Sequence, residues 1–113
     1  MLAKKYRFHS RGGVRYTYKN GRRFRDTNIS LISTANSRNK QRFAVVVSKK
    51  VLKSAVGRNR IRRRTYEAIR LLQPKITKPT DCIFIINTKE ILTLDFSELI
   101  KLIRGLLVKS DLL

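Results

Sequence analysis

The chain has no tryptophan, one histidine, one cysteine, two prolines and only seven acidic residues. Each shortage excludes something. A single cysteine, Cys82, cannot form an internal disulfide and suits a reducing cytoplasm. It sits in an apolar, strand-like run, which points to a core thiol rather than a nucleophile. The lone histidine, His9, lies in a basic stretch with no partner for metal binding or acid–base work. A protein nuclease acting alone needs clustered carboxylates to hold metal ions, or a paired histidine. Five of the seven acids, Asp81, Glu90, Asp95, Glu98 and Asp111, fall in the last third of the chain, and only Asp26 and Glu67 stand among the bases. No catalytic residue and no metal ligand is therefore expected in the protein itself. No apolar run approaches the roughly 20 residues that span a bilayer, and the basic N-terminus lacks an apolar signal segment. Neither a membrane nor a small-molecule substrate is expected as a partner, and the expected location is cytoplasmic.

What is present is positive charge. The net charge is +20 over 113 residues, a length that suits one domain, 1–113, with a modest core. Because the acids gather beyond residue 80, the excess sits wholly in the first 80 residues. Such a surface is built for a polyanion. It is densest at Arg58-Asn-Arg-Ile-Arg-Arg-Arg64. Guanidinium groups offer planar forks of donors that match phosphate oxygens in pairs. Like charges crowded together repel, so the stretch reads as a docking surface rather than a stabilising one.

The same stretch reads as a helix between Ser54 and Leu72. Ile61, Thr65, Ala68, Ile69 and Leu72 recur at helical spacing and form one apolar stripe. Asn59, Arg60, Arg62, Arg63 and Arg70 fall on the flank and the opposite side. Ser54 is placed to cap the N-terminus, and Pro74 stops the continuation. Solvated helix faces usually mix signs, and only Glu67 offsets the arginines here.

The remaining segments supply a core and a second surface. Residues 1–9 read as a flexible basic tail. A first helix is expected to start late, near Gly13, because Gly12-Gly13 is costly in a helix interior. It should end at Lys19-Asn20-Gly21, with Gly21 in the left-handed conformation, and Val14 and Tyr18 share one of its faces. Thr27–Thr34 reads as a strand with Ile29 and Leu31 on one side and Ser30 and Ile32 on the other. Gln41–Ser48 is a second strand, with Phe43, Val45 and Val47 opposite Arg42, Ala44, Val46 and Ser48. The short polar link between them predicts an antiparallel hairpin. Asp81–Asn87 is a strongly apolar third strand, buried on both faces. Asp95 and Glu98 form an expected capping box ahead of a final helix carrying Phe96, Leu99, Ile100, Ile103, Leu106 and Leu107. The order α-β-β-α-β-α implies an α/β fold, a two-layer α-β sandwich.

Phe43-Ala-Val-Val-Val-Ser-Lys-Lys50, a seven-residue spacer, and Arg58-Asn-Arg-Ile-Arg-Arg63 together resemble the signature of the protein subunit of bacterial ribonuclease P. The resemblance implies a left-handed β-α-β crossover through the arginine helix, against the usual hand. It also implies a division of labour. A catalytic RNA subunit holds Mg2+ and hydrolyses precursor tRNA at the mature 5′ end, and the protein supports it. By motif, Lys49, Lys50, Lys53, Arg58, Asn59, Arg60, Arg62 and Arg63 match the segment that contacts this RNA. The single-stranded 5′ leader would lie in a cleft formed by Val14, Tyr18, Ile32, Arg42, Ala44, Val46 and Ser48. The family commonly carries aromatics at the positions of Val14, Tyr18 and Ile32, and here only Tyr18 is aromatic, which leaves an apolar floor with less stacking. Composition alone would favour a small basic ribosomal RNA-binding protein, the alternative reading. A helix-turn-helix DNA binder lacks its second helix, and a membrane-surface binder would need Trp or Phe on the basic helix.

Overall fold

The computed structural model describes residues 2–8 and 11–113. The fold is organised by its last strand. Thr80–Ile86 (β4) is flanked on one side by Ile29–Ala35 (β2), antiparallel, and on the other by Arg42–Val46 (β3), parallel. Arg22–Arg25 (β1) completes a four-stranded mixed sheet in the order β1-β2-β4-β3. The run Cys82-Ile-Phe-Ile-Ile takes the interior position because it has apolar side chains for both faces, and Cys82, Ile83, Phe84 and Ile86 are buried.

The expected hairpin between the strands at 27–34 and 41–48 does not form. β2 turns back at Asp26–Asn28 to pair with β1 instead, with Arg23 opposite Ile32 and Arg25 opposite Ser30. The polar segment after β2 carries the chain past the place of β4 to the far edge. There β3 begins a parallel β-α-β unit through Ala55–Leu72 (α2). The order is therefore α-β-β-β-α-β-α, opened by Arg11–Asn20 (α1) and closed by Phe96–Lys109 (α3). The α/β class stands, with one more strand than expected.

One sheet face carries the main core. Ile29, Leu31, Phe43, Val45, Phe84 and Ile86 pack with Ile61, Ala68, Ile69 and Leu72 of α2 and Leu99, Ile103, Leu106 and Leu107 of α3. Each of these side chains except that of Ala68 contributes about 1.5–3 kcal/mol when fully buried. The other face carries a smaller cluster, Phe8, Ile32, Ala44 and Ile83, with Val14 of α1, Val46 and Ile85 packed against it.

Local signals explain the helix ends. The Ser54 hydroxyl accepts from Gly57 N–H at 3.0 Å, the expected cap. Asp95 occupies its N-cap position, but its side chain makes no capping bond. The α1 helix runs through Gly12-Gly13 rather than starting after them. Thr17 holds that turn by donating from its hydroxyl to the Gly13 carbonyl at 2.9 Å. Gly21 is not left-handed. It is required for close approach instead, since a β-carbon there would lie 2.5 Å from the Thr17 carbonyl oxygen and 2.6 Å from Ile32 Cγ2.

The expected flexible tail is also corrected. Residues 2–8 cross the edge of β3. Leu2 is buried in the main core and Phe8 in the smaller one, and Phe8 N–H donates to the Phe43 carbonyl at 3.1 Å. Two apolar anchors spaced six residues apart hold the intervening bases to the fold. The readings made for Met1 and His9 fall outside the described residues.

Candidate nucleic-acid interface

The arginines of α2 divide into two sets. Arg60 and Arg63 are exposed and make no hydrogen bond or ion pair among the described residues. Asn59 is exposed and accepts from Arg62 Nη1 at 2.7 Å, which holds both on the outer side. Arg58 and Arg64 instead serve the fold. Arg58 Nη1 donates to the carbonyls of Leu52, at 2.9 Å, and Lys53, at 2.7 Å. Arg64 donates to the carbonyls of Ile91, Leu92 and Leu94, tying the 3-10 turn at Lys89–Leu92 to α2. The sequence reading took the whole stretch as a docking surface. It missed that a guanidinium can satisfy free carbonyls of a neighbouring loop.

Arg58 also orders the loop that precedes α2. Val51 N–H donates to the Ser48 carbonyl at 3.1 Å, closing a turn that leaves Lys49 and Lys50 exposed. A β-carbon at Gly57 would lie 2.6 Å from Leu52 Cδ2, so the first helical turn sits tight against this loop. Lys49, Lys50 and Lys53 are thus held beside the start of α2. With Asn59, Arg60, Arg62 and Arg63 they make one basic surface. Glu67 does not neutralise it, because its carboxylate is held by Arg70, Nη2 to Oε1 at 2.6 Å. That hydrogen bond is the largest of the causes that lower the Glu67 carboxyl to about 2.

The second face places the other expected residues. In-register neighbours share a face of a sheet, which gives three rows. Thr34, Asp81 and Arg42 form the first; Arg23, Ile32, Ile83 and Ala44 the second; Arg25, Ser30, Ile85 and Val46 the third. Ile32, at 1% exposure, and Ala44, at 7%, are packed under α1 and Phe8, so neither is an open floor. Arg42 is committed to Asp81 through Nε to Oδ1 at 2.8 Å and Nη2 to Oδ2 at 2.7 Å, and it lies over the Phe8 ring. The hydrogen bond to Asp81 raises its pKa further. Val46 and Ile85 are half-buried, Ser48 is exposed, Val14 is half-buried on α1, and Tyr18 is 39% exposed. Burial raises the Tyr18 phenol, and the nearby Arg23 charge pulls it back. What remains open is the end of the face lined by Tyr18, Val46, Ile85 and Ser48. Arg23 and Arg25 stand at its β1 edge and were not among the expected residues. The missed signal was the alternation Arg23-Phe24-Arg25, which points both arginines to one side and Phe24 to the main core.

Among the described residues no three of His, Cys, Asp and Glu come together as a metal site, and no helix is long and apolar enough to cross a membrane. Cys82 is buried, and burial pushes its thiol up to about 12.

A mixed sheet, a β-α-β unit connected through an arginine-rich helix, and a strongly basic surface define a small α/β RNA-binding protein. Comparison with known proteins specifies the family. The ribonuclease P family model matches residues 2–111. The ribonuclease P protein component of Chloroflexus aurantiacus is 36% identical over 112 residues, covering 99% of this chain and 82% of that protein. That of Roseiflexus castenholzii is 32% identical over 109 residues, covering 96% and 88%. The solved ribonuclease P protein of Staphylococcus aureus superposes with a TM-score of 0.82 at 21% identity, covering 95% of this chain and 96% of that one. The Thermotoga maritima protein gives 0.80 at 24% identity, covering 89% and 94%. The chain belongs to the ribonuclease P protein family, and its role is that of the protein component in tRNA 5′ processing.

Proposed function

We propose that this chain supports hydrolysis carried out by the RNA subunit, using separate surfaces for the catalytic RNA and for precursor tRNA. Mg2+ held by that RNA supplies the hydrolytic chemistry. The observation that carries the reading is the division of the α2 arginines. Arg60, Arg62 and Arg63, with Asn59, Lys49, Lys50 and Lys53, face outward, while Arg58 fixes the loop that presents the lysines. Folded RNA is read mostly through its shape and backbone, and a rigid row of guanidinium and ammonium groups suits it. The 5′ leader takes the open end of the second face. Tyr18 and Val14 stand on one side, Val46 and Ser48 on the other, with Ile32 and Ala44 supporting from beneath and Arg42 bracing the far end. The complex works in the cytoplasm.

The test is reconstitution with a bacterial ribonuclease P RNA. The complex should cut precursor tRNA at the mature 5′ end, and the protein alone should not. Arg60→Ala and Arg63→Ala should each weaken assembly about tenfold, near the lower bound for a charge-assisted hydrogen bond. Tyr18→Ala should leave assembly intact and weaken only substrates with a leader of several nucleotides. Specific cleavage by RNA-free protein would overturn the division of labour.

A further inference from the structure

The outer strand β1 is the least apolar strand of the sheet, Arg22-Arg23-Phe24-Arg25. Phe24 packs toward the main core, with the Arg22 guanidinium over its ring at 5.2 Å. Alternation sends Arg23 and Arg25 to the opposite face. They head the two rows that cross this face, beside Ile32 and Ser30. Both are exposed, and neither makes a hydrogen bond or ion pair among the described residues. Arg42, the other arginine in the three rows of this face, is already ion-paired with Asp81 through two hydrogen bonds. Two rings of α1 are exposed: Tyr16, at 58%, lines the pocket beside Arg42 and Asp81 in the row farthest from Arg25, and Tyr18, at 39%, lies near Arg23, while Val14 and Val46 are aliphatic and Ile32 is buried.

Toward the Arg23 and Arg25 end of this face, stacking is therefore limited to Tyr18 and unpaired positive charge is available. We infer that Arg23 and Arg25 grip the phosphodiester backbone of the single-stranded 5′ leader, and that leader binding by this chain is chiefly electrostatic. The inference rests on the placement of the leader under Proposed function and deepens it. It sets the course of the strand, from Ser48 at the β3 edge, over Val46 and Ile85, to the two arginines at the β1 edge. That is about 14 Å across three strand spacings. The α2 arginines belong to a helix packed on the opposite face, so this is a second, separate basic site. It would take leaders of any sequence, because phosphate contacts carry no base information.

The assay uses the reconstituted holoenzyme and measures affinity for precursor tRNA with a leader of about ten nucleotides and for the same tRNA without one, across a salt series. Each single-strand phosphate neutralised adds about 0.7 to the slope of log affinity against log salt. The leader-bearing substrate should therefore show a slope about 1.4 steeper than the leaderless one. Arg23→Ala and Arg25→Ala should each remove about half of that difference and weaken the leader-bearing substrate several-fold. Arg25→Lys should keep the slope. Equal slopes for the two wild-type complexes would overturn the inference, as would losses that fall on both substrates or on assembly with the catalytic RNA. Tyr18→Ala separates the two readings. If it weakens only leader-bearing substrate while the arginine variants do nothing, the cleft stands and the electrostatic grip falls. If none of the three variants discriminates, both fall.

Discussion

Arg64→Ala should damage the fold and spare the RNA surface, although Arg64 closes the densest basic stretch of the chain. Its guanidinium donates to three carbonyls, those of Ile91, Leu92 and Leu94, and the side chain is half-buried between α2 and the turn before α3. A hydrogen bond from a charged donor contributes about 1.5–3 kcal/mol net. Water can reach part of this site once the side chain is gone, so the three bonds together should cost roughly 2–4 kcal/mol rather than their sum. For a chain of this size each kcal/mol lowers Tm by roughly 4 °C, which gives a fall of about 8–16 °C. Arg64→Lys should lie between, because an ammonium cannot span all three carbonyls. Arg60→Ala is the control, with Tm within about 2 °C of wild type. Thermal unfolding followed by circular dichroism gives Tm. Filter binding to the catalytic RNA at 25 °C, where every variant is folded, gives assembly. An Arg64→Ala protein with unchanged Tm and weakened assembly would refute the assignment of this arginine to the fold.

Asp81→Ala should lower stability in urea unfolding by about 3–5 kcal/mol, because it leaves the Arg42 guanidinium largely buried over Phe8 without its carboxylate; a loss below 1 kcal/mol would mean that solvent replaces the partner. The Glu67 carboxyl, held low by Arg70, should titrate at about 2 by NMR. A lowered carboxyl stabilises the fold above its ordinary range and loses that contribution as pH falls toward about 2, so Arg70→Ala, which removes the largest of several causes, should move the midpoint part of the way back up and reduce this small acid-range dependence. Cys82 should resist thiol reagents at pH 8 in the native protein and react only as the chain unfolds, since burial keeps the thiol protonated; fast labelling of folded protein would contradict its place in the core.

The two elements whose own side chains decide their fate were legible in the sequence. The α2 helix has an apolar stripe, a serine cap and a following proline. All five stripe residues are buried, and only Tyr66 was missing from the list. The β4 strand carries apolar groups on both sides and became an interior strand. What escaped was decided by partners distant in sequence. The β1 strand has one apolar side chain and exists because β2 offers it a free edge. The expected hairpin failed because β4 out-competes β3 for the side of β2. Ile32 and Ala44 were placed on the correct face, yet alternation cannot tell a floor from a surface covered by α1 and Phe8. The α2 arginines show the same limit. Helical spacing identifies their directions, but not that carbonyls of two loops await Arg58 and Arg64.

The two edges of the sheet are managed by opposite means, and each bears on RNA binding. An open strand edge invites pairing with another chain. At β3 the edge is covered. Phe8 N–H bonds to the Phe43 carbonyl, and the Tyr66 hydroxyl accepts from Val45 N–H at 3.2 Å, with the Arg7 guanidinium over the Tyr66 ring at 5.9 Å. The covering segment brings Lys4 and Lys5, both exposed, to the side of the sheet where α2 packs, because Leu2 is anchored in the main core. At β1 the edge is uncovered but charged, with Arg22, Arg23 and Arg25 repelling a second copy of the same strand. The charges that keep this edge from pairing with protein are the ones best placed to attract a phosphate backbone. Solubility and RNA affinity thus draw on the same residues, and a neutral β1 would weaken both.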